Sequence, residues 1–310
     1  MLIVFGSIYM NLDMTVKRLP EDGETSLSPS YTMLPGGKGA NQSLAAVRAG
    51  GSKVALVGHV GDDGPGLRIL ANLKRNGVMT SGVAKSVDFP TGIASIVTEK
   101  SGARRTMLGL GANNLISADQ APHDIFRVGN VLLAQLDVPL DQNALVMKAA
   151  HDKGAKVVLH ASPMTPLPLP VLHLVDYLIL HDVRVLKIAK ALGIESDDLI
   201  HAMKMIARKA KLTCVAYNSK GESFLVTSEG NGLKFFTKKP IKIIDPSGAE
   251  DCFCGTLTAC IHEGQSNVEA LHMAATAYAI VCREKGGEES YPYIDGLKEE
   301  MKKFGVIEPI

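Results

Sequence analysis

Residues 131–180 read VLLAQLDVPLDQNALVMKAAHDKGAKVVLHASPMTPLPLPVLHLVDYLIL. Three short apolar runs stand out, at 131–136, 156–160 and 177–180. Each is nearly continuous rather than alternating, which marks a strand buried on both faces. Between the first two, residues 143–152 follow a helical pattern. Strand, helix and strand in this order predict a parallel sheet covered by helices. The same rhythm continues outward. Towards the C-terminus, helical patterns at 185–192 and 197–209 precede strands at 213–216 and 223–226. Helices then dominate, at 249–263 and 268–283. Towards the N-terminus lie strands at 2–5 and 53–58, with helical stretches at 40–49 and 66–76. The fold class read from this pattern is α/β: a mostly parallel sheet with helices on both faces.

Two segments break the rhythm. Residues 9–33 read as extended, with an E-D-G turn. Residues 91–110 read as a hairpin whose strands flank Lys-Ser-Gly-Ala. Both mix polar and apolar residues, the pattern of an antiparallel sheet with one wet face. They are read as insertions forming a small β-sheet lid. No internal repeat or disordered linker interrupts the chain, so residues 1–310 are read as a single domain.

The chain has 310 residues, with 33 Lys plus Arg against 32 Asp plus Glu. A net charge of +1 argues against holding nucleic acid or an anionic membrane by bulk charge. No apolar run reaches the ~18 residues of a membrane span. The first residues lack a basic signal region and read as a strand. Cys214, Cys252, Cys254, Cys260 and Cys282 include no C-x-x-C pair, so they are read as buried thiols of a cytoplasmic protein. Tryptophan is absent and aromatics are 5%, which disfavours stacking on bases as the main binding strategy.

Glycine, 30 of 310 residues, is the one mild excess, and it concentrates at two places. Leu34-Pro35-Gly36-Gly37-Lys38-Gly39-Ala40-Asn41-Gln42 leads into a helix. Glycines let backbone approach a ligand, and a helix start offers free N–H groups. A plain turn before a helix would look the same. Asp245-Pro246-Ser247-Gly248-Ala249-Glu250-Asp251 precedes a second helix, marked by Phe253, Leu257, Cys260 and Ile261 on one face. Free amides there can hold a phosphate. An acidic first turn that only complements the helix dipole is the alternative. Neither a Walker A loop nor G-x-G-x-x-G occurs.

Together the two clusters resemble the signatures of the ribokinase-like (phosphofructokinase B type) carbohydrate kinases. The similarity also takes in Gly6-Ser7-Ile8, Leu19-Pro20-x-x-Gly23-Glu24-Thr25, Gly61-Asp62-Asp63 and Gln135-Leu136-Asp137. G-G-K-G-A-N-Q is close to the ribokinase form. The resemblance implies a Rossmann-like three-layer core with a β-lid, often shared across a homodimer. It implies ATP and Mg²⁺, with K⁺ as a common activator, and a small sugar as acceptor. By the same resemblance, Asp251 is the general base, and the amides of Gly248, Ala249 and Glu250 form the anion hole. Gly37, Lys38, Asn41 and Asp137 fall at sugar-binding positions. Asp245 and Ser247 fall where oxygen is supplied to a monovalent cation. Asn218, Ser219 and Gly221 fall in a nucleotide-phosphate loop that Gly248 also serves, and residues 285–287 flank adenine.

Four positions depart from the family pattern. The sugar-facing Asn and Asp of the first lid strand become Tyr9 and Asn11, with Asp13 two residues on and on the same strand face. Asn-x-x-Glu becomes His181-Asp182-Val183-Arg184. Thr-x-Gly becomes Ala216-Tyr217-Asn218. The glycine before the base becomes Glu250. A carboxylate ~5 Å from a phosphoryl group costs ~3 kcal/mol at an effective dielectric of ~20. An ion pair between Glu250 and Arg184 would offset it. Alternative readings are a nucleoside or other sugar kinase, an impaired family member that binds ligand as a regulatory module, and an unrelated α/β binding protein.

Overall fold

Leu2, Ile3, Val4 and Phe5 are wholly buried, and this strand is paired in parallel along both edges. It lies within the larger of two sheets. The computed structural model describes residues 1–51, 53–238 and 240–310. In chain order the strands are β1 (Leu2–Phe5), β2 (Tyr9–Val16), β3 (Tyr31–Gly36), β4 (Val54–Gly61), β5 (Met79–Ser86), β6 (Gly92–Glu99), β7 (Arg104–Gly109), β8 (Val131–Gln135), β9 (Lys156–His160), β10 (Tyr177–His181), β11 (Thr213–Tyr217), β12 (Ser223–Val226), β13 (Gly232–Thr237) and β14 (Gly305–Pro309). The helices are α1 (Lys38–Arg48), α2 (Gly64–Arg75), α3 (Leu140–Asp152), α4 (Leu169–Leu172), α5 (Asp182–Ala191), α6 (Leu199–Ala210), α7 (Ala249–His262), α8 (Asn267–Cys282) and α9 (Ile294–Phe304).

The large sheet has the order β14-β13-β12-β11-β10-β9-β8-β1-β4-β5. It is parallel from β5 to β11 and antiparallel from β11 to β14. Alternate side chains of each central strand point to opposite faces, and so feed two cores. Leu2 and Val4 pack with Leu44 of α1, Phe253 and Leu257 of α7 and Leu271 of α8. Ile3 and Phe5 pack with Val146 of α3, Val185 of α5 and Ile206 of α6. Burial on both faces is why these strands read as unbroken apolar runs. The three-layer α/β expectation matches this arrangement.

The second sheet has the order β3-β2-β6-β7 and contains both lid insertions. Its pairing corrects the sequence reading. The β3–β2 and β6–β7 pairs are antiparallel, but β2 and β6 run parallel, with Asn11 opposite Ala94 and Asp13 opposite Ile96. The sheet is therefore mixed. Each insertion folds on itself by antiparallel pairing, and the parallel seam forms where the two insertions meet. Strands β5, β13 and β14 and helix α9 were not read from the sequence. β5, β13 and β14 are half-wet, so no continuous apolar run announces them.

Candidate active site

Asp251 lies in the first turn of α7, behind Gly248, which takes a left-handed conformation at φ 78°. Glycine adopts that conformation without steric cost, and it turns the chain sharply into the helix. One turn further on, Gly255 lies against α1. A Cβ there would sit 2.7 Å from the Ala45 Cβ. This close approach brings the start of α1 to Asp251. Asn41 Nδ2 donates to Asp251 Oδ2 at 2.9 Å, and Gln42 Nε2 donates to Oδ1 at 2.9 Å. Gln42 Oε1 accepts from Gln135 Nε2 at 2.9 Å.

Burial pushes the Asp251 carboxyl up to about 6. Lys38 and the Asn41 and Gln42 hydrogen bonds oppose the rise, and Glu250 adds to it. The result is a carboxylate with unusual proton affinity that is still ionised at neutral pH. That is the property a general base needs. Of the expected anion-hole amides, that of Ala249 donates to the Pro246 carbonyl at 3.1 Å. The turn leaves the N–H groups of Gly248 and Glu250 for an anion, as a helix start does.

Beside Asp251 lies a second cluster. Ser7 Oγ donates to Asp137 Oδ2 at 2.6 Å and accepts from the Lys38 N–H at 3.1 Å. Lys38 Nζ stands 3.8 Å from Asp137 Oδ2. Burial alone would lower the Lys38 amine, but Asp137, Asp251 and Glu250 outweigh it and hold it above its usual value. Gly37, at φ 100°, turns the chain so that Lys38 enters this cluster. Asp137 Oδ1 and Asn41 Oδ1 are buried acceptors with no hydrogen-bond partner among the described residues. Buried acceptors left open cost free energy unless a ligand serves them.

On the lid, the Asn11 amide covers Gly36, where a Cβ would collide with it. Asp13 is half-buried, and burial raises its carboxyl against the pull of Arg104. Tyr9 is buried, with its hydroxyl 3.5 Å from the Asp137 carbonyl, so it is a core residue under the lid. Arg104 Nη1 donates to Ser247 Oγ at 3.1 Å and joins the lid to the loop before Asp251. Asp245 Oδ1 accepts the Ser247 N–H at 2.9 Å.

Asn218 Oδ1 accepts the N–H groups of Lys220 and Glu222, and Nδ2 donates to Glu222 Oε2. Its side chain thus ties the β11–β12 turn together, and that turn carries Ser219 and Gly221. The compensating pair is corrected. Arg184 Nη1 donates to the Ala161 carbonyl at 3.1 Å, and Glu250 lies near the Tyr217 hydroxyl, which its charge raises. Sequence reasoning missed Ser7, Gln42 and Arg104. The first two sit inside motifs already singled out, whereas nothing local marks Arg104. Among the described residues, no group of three or more His, Cys, Asp or Glu could hold a metal, and no helix is long and apolar enough to cross a membrane.

The pfkB family carbohydrate kinase model matches residues 1–293. The chain belongs to the pfkB family of carbohydrate kinases. It is 29% identical over 302 residues to a ribokinase of Schizosaccharomyces pombe, covering 94% of each chain. Its fold matches Arabidopsis thaliana ribokinase complexed with ribose and ATP at a TM-score of 0.82, with 26% identity, covering 97% of this chain and 98% of that one. A Thermotoga maritima ribokinase shares the fold at a TM-score of 0.85 and 21% identity, covering 97% and 99%. The kinase is thus a ribokinase-like phosphotransferase acting on a sugar.

Proposed function

We propose that this kinase transfers the γ-phosphoryl group of ATP to an alcohol group of a small sugar, with ribose as the leading acceptor and Asp251 as the general base. The observation that supports this most is one buried arrangement. Asp251, raised towards neutrality, stands beside Lys38 and the open acceptors Asp137 Oδ1 and Asn41 Oδ1. Sugar hydroxyls are donors that would serve those acceptors. Lys38, charged and half-buried, would donate to a sugar hydroxyl or ring oxygen.

In the reaction, Asp251 takes the proton of the acceptor hydroxyl as that oxygen forms its bond to the γ-phosphorus and the bond to the ADP oxygen breaks. The N–H groups of Gly248 and Glu250 face the transferring group and stabilise its developing charge. Asn11 and Asp13 face the sugar from the lid. Ser219 and Gly221 approach the nucleotide phosphates through backbone. Without a protein cage of carboxylates, Mg²⁺ would arrive with the nucleotide, held chiefly by phosphate oxygens. Among the described residues, Asp245 Oδ1 accepts only the Ser247 N–H and Ser247 Oγ only the Arg104 N–H, so both side chains keep lone pairs that could serve K⁺.

The test is phosphoryl transfer from ATP with Mg²⁺ and K⁺ over pentoses, hexoses and nucleosides, with Asp251→Asn as control. Transfer to ribose that vanishes in the variant is the expected result. Preference for a nucleoside would move the acceptor class. No transfer but ligand-dependent thermal stabilisation would favour a binding module.

A further inference from the structure

A chain of buried polar groups runs from Asp251 away from the sugar. Gln42 Nε2 donates to Asp251 Oδ1 at 2.9 Å and meets His160 Nδ1 at 3.0 Å. His160 Nε2 meets the Tyr217 hydroxyl at 3.2 Å. The Glu250 carboxylate lies near the Tyr217 hydroxyl and, with burial, raises it. His160 has no exposed surface and Tyr217 is 1% exposed.

Proton counting orients every bond in this chain. An ionised Asp251 has no proton to give, so the Gln42 NH₂ must face it. The second N–H of the same nitrogen then points at His160 Nδ1, which must accept. The imidazole proton is therefore on Nε2, which donates to Tyr217. The Tyr217 hydroxyl, having accepted, keeps its own proton, and burial and the nearby Glu250 charge both hold it there. Burial, with Lys38 and Arg184 nearby, pushes the imidazole well below its usual value. A cationic ring would have an N–H at Nδ1 and would turn the Gln42 amide around.

We propose that His160 is a positioning residue for the base: neutral, with its proton on Nε2, it holds the Gln42 amide in the orientation that donates to Asp251, and through Nε2 it fixes the Tyr217 hydroxyl at the end of β11, in the neighbourhood of the Glu250 carboxylate. The proposal rests on Asp251 being the base. It also gives Glu250, which stands where the family has glycine, a neutral hydroxyl as a neighbour.

Steady-state kinetics with ribose and ATP test it. His160→Leu keeps apolar volume but removes both ring nitrogens, so kcat falls about 10- to 100-fold, the effect of losing one or two buried hydrogen bonds in the transition state. The KM for ribose changes less than about threefold. His160→Asn, whose amide oxygen can accept and whose NH₂ can donate, recovers most of the loss. A purely space-filling histidine gives the reverse order, and that result overturns the proposal. Tyr217→Phe keeps the ring, removes the hydroxyl near Glu250 and lowers kcat, and adding Glu250→Gln restores much of it. If the two changes are additive, the coupling to Glu250 is wrong. Nitrogen-15 NMR of the histidine-labelled wild type shows a neutral His160 protonated on Nε2 between pH 6 and 8. A proton on Nδ1, or a cationic ring, sinks the proposal without any variant. Turnover surviving in Asp251→Asn removes the base reading itself. A dead Asp251→Asn alongside wild-type kcat in His160→Leu removes only the role of His160.

Discussion

Arg104, at the start of lid strand β7, donates to Ser247 Oγ, which lies four residues before Asp251, the proposed base. The contact joins two parts of the chain 143 residues apart. Arg104 also draws Asp13 on β2 by charge. One guanidinium thus links both lid insertions to the loop before Asp251.

Removing that link should loosen the lid over the sugar more than it alters the chemistry. The contact is exposed, so its net contribution is about 1 kcal/mol. Arg104→Ala is expected to raise the sugar KM about fivefold with little change in kcat, and Arg104→Lys less. An unchanged KM in Arg104→Ala would show that the contact does not serve substrate binding.

The Asp251 carboxyl at about 6 predicts the acid limb of the rate. A base must be deprotonated, so kcat/KM should fall tenfold per unit as pH drops below about 6. The charged and polar groups around it are Lys38, Glu250, Asn41 and Gln42. Lys38→Met removes the nearest opposing cation and should move the limb upward. The same shift has a stability consequence. The folded chain holds this proton more tightly than the unfolded one, so ionisation between about pH 4 and 6 works against the fold, by about 3 kcal/mol. Asp251→Asn should therefore melt several degrees above wild type at pH 8 and level with it near pH 4. Thermal unfolding at the two pH values checks the sign.

Gly255 sets the distance between α1 and α7. An added Cβ would press on the Ala45 Cβ at 2.7 Å, closer than real side chains approach. Gly255→Ala should destabilise the fold by about 1–3 kcal/mol. It should also lower kcat, because Asn41 and Gln42 are pushed off Asp251. Denaturant unfolding paired with kinetics separates the two effects. Full stability together with full activity would show that the helices yield freely.

The lid ends in two unpaired edges, β3 and β7. Tyr31 and Met107 on these strands are each 64% exposed. Open edges with apolar side chains favour pairing with another copy. A homodimer through the lid is expected, with Tyr31→Lys/Met107→Lys shifting the sedimentation profile to monomer. A wild-type monomer at micromolar concentration would contradict it.

The central strands were legible because burial on both faces leaves a run of apolar residues that no other element produces at that length. The strand ranges read at 2–5, 156–160 and 223–226 coincide with β1, β9 and β12. Strands β5, β13 and β14 were not legible, since their polar positions resemble loop. The parallel β2–β6 seam was not legible either. It pairs Tyr9 with Gly92, and no local signal encodes a partner so distant. At the site, Lys38, Asn41, Asp137 and Asp251 were named from motifs, and the structure brings them together. His160 read as the ordinary end of a buried strand, and Tyr217 as the unremarkable middle residue of Ala216-Tyr217-Asn218.

The sequence by itself determined the layering, because period and apolarity act over a few residues. It likewise determined that an acidic residue, Asp251, stands in the first turn of a glycine-started helix. Only the tertiary structure decided what meets that carboxylate. Asn41 and Asp251 are 210 residues apart, and their contact depends on how closely α1 and α7 can approach. The tertiary structure also decided that Glu250 lies near Tyr217 while Arg184 bonds a carbonyl. Charge alone would have paired the two. Side-chain reach and the direction in which each strand end points decided otherwise.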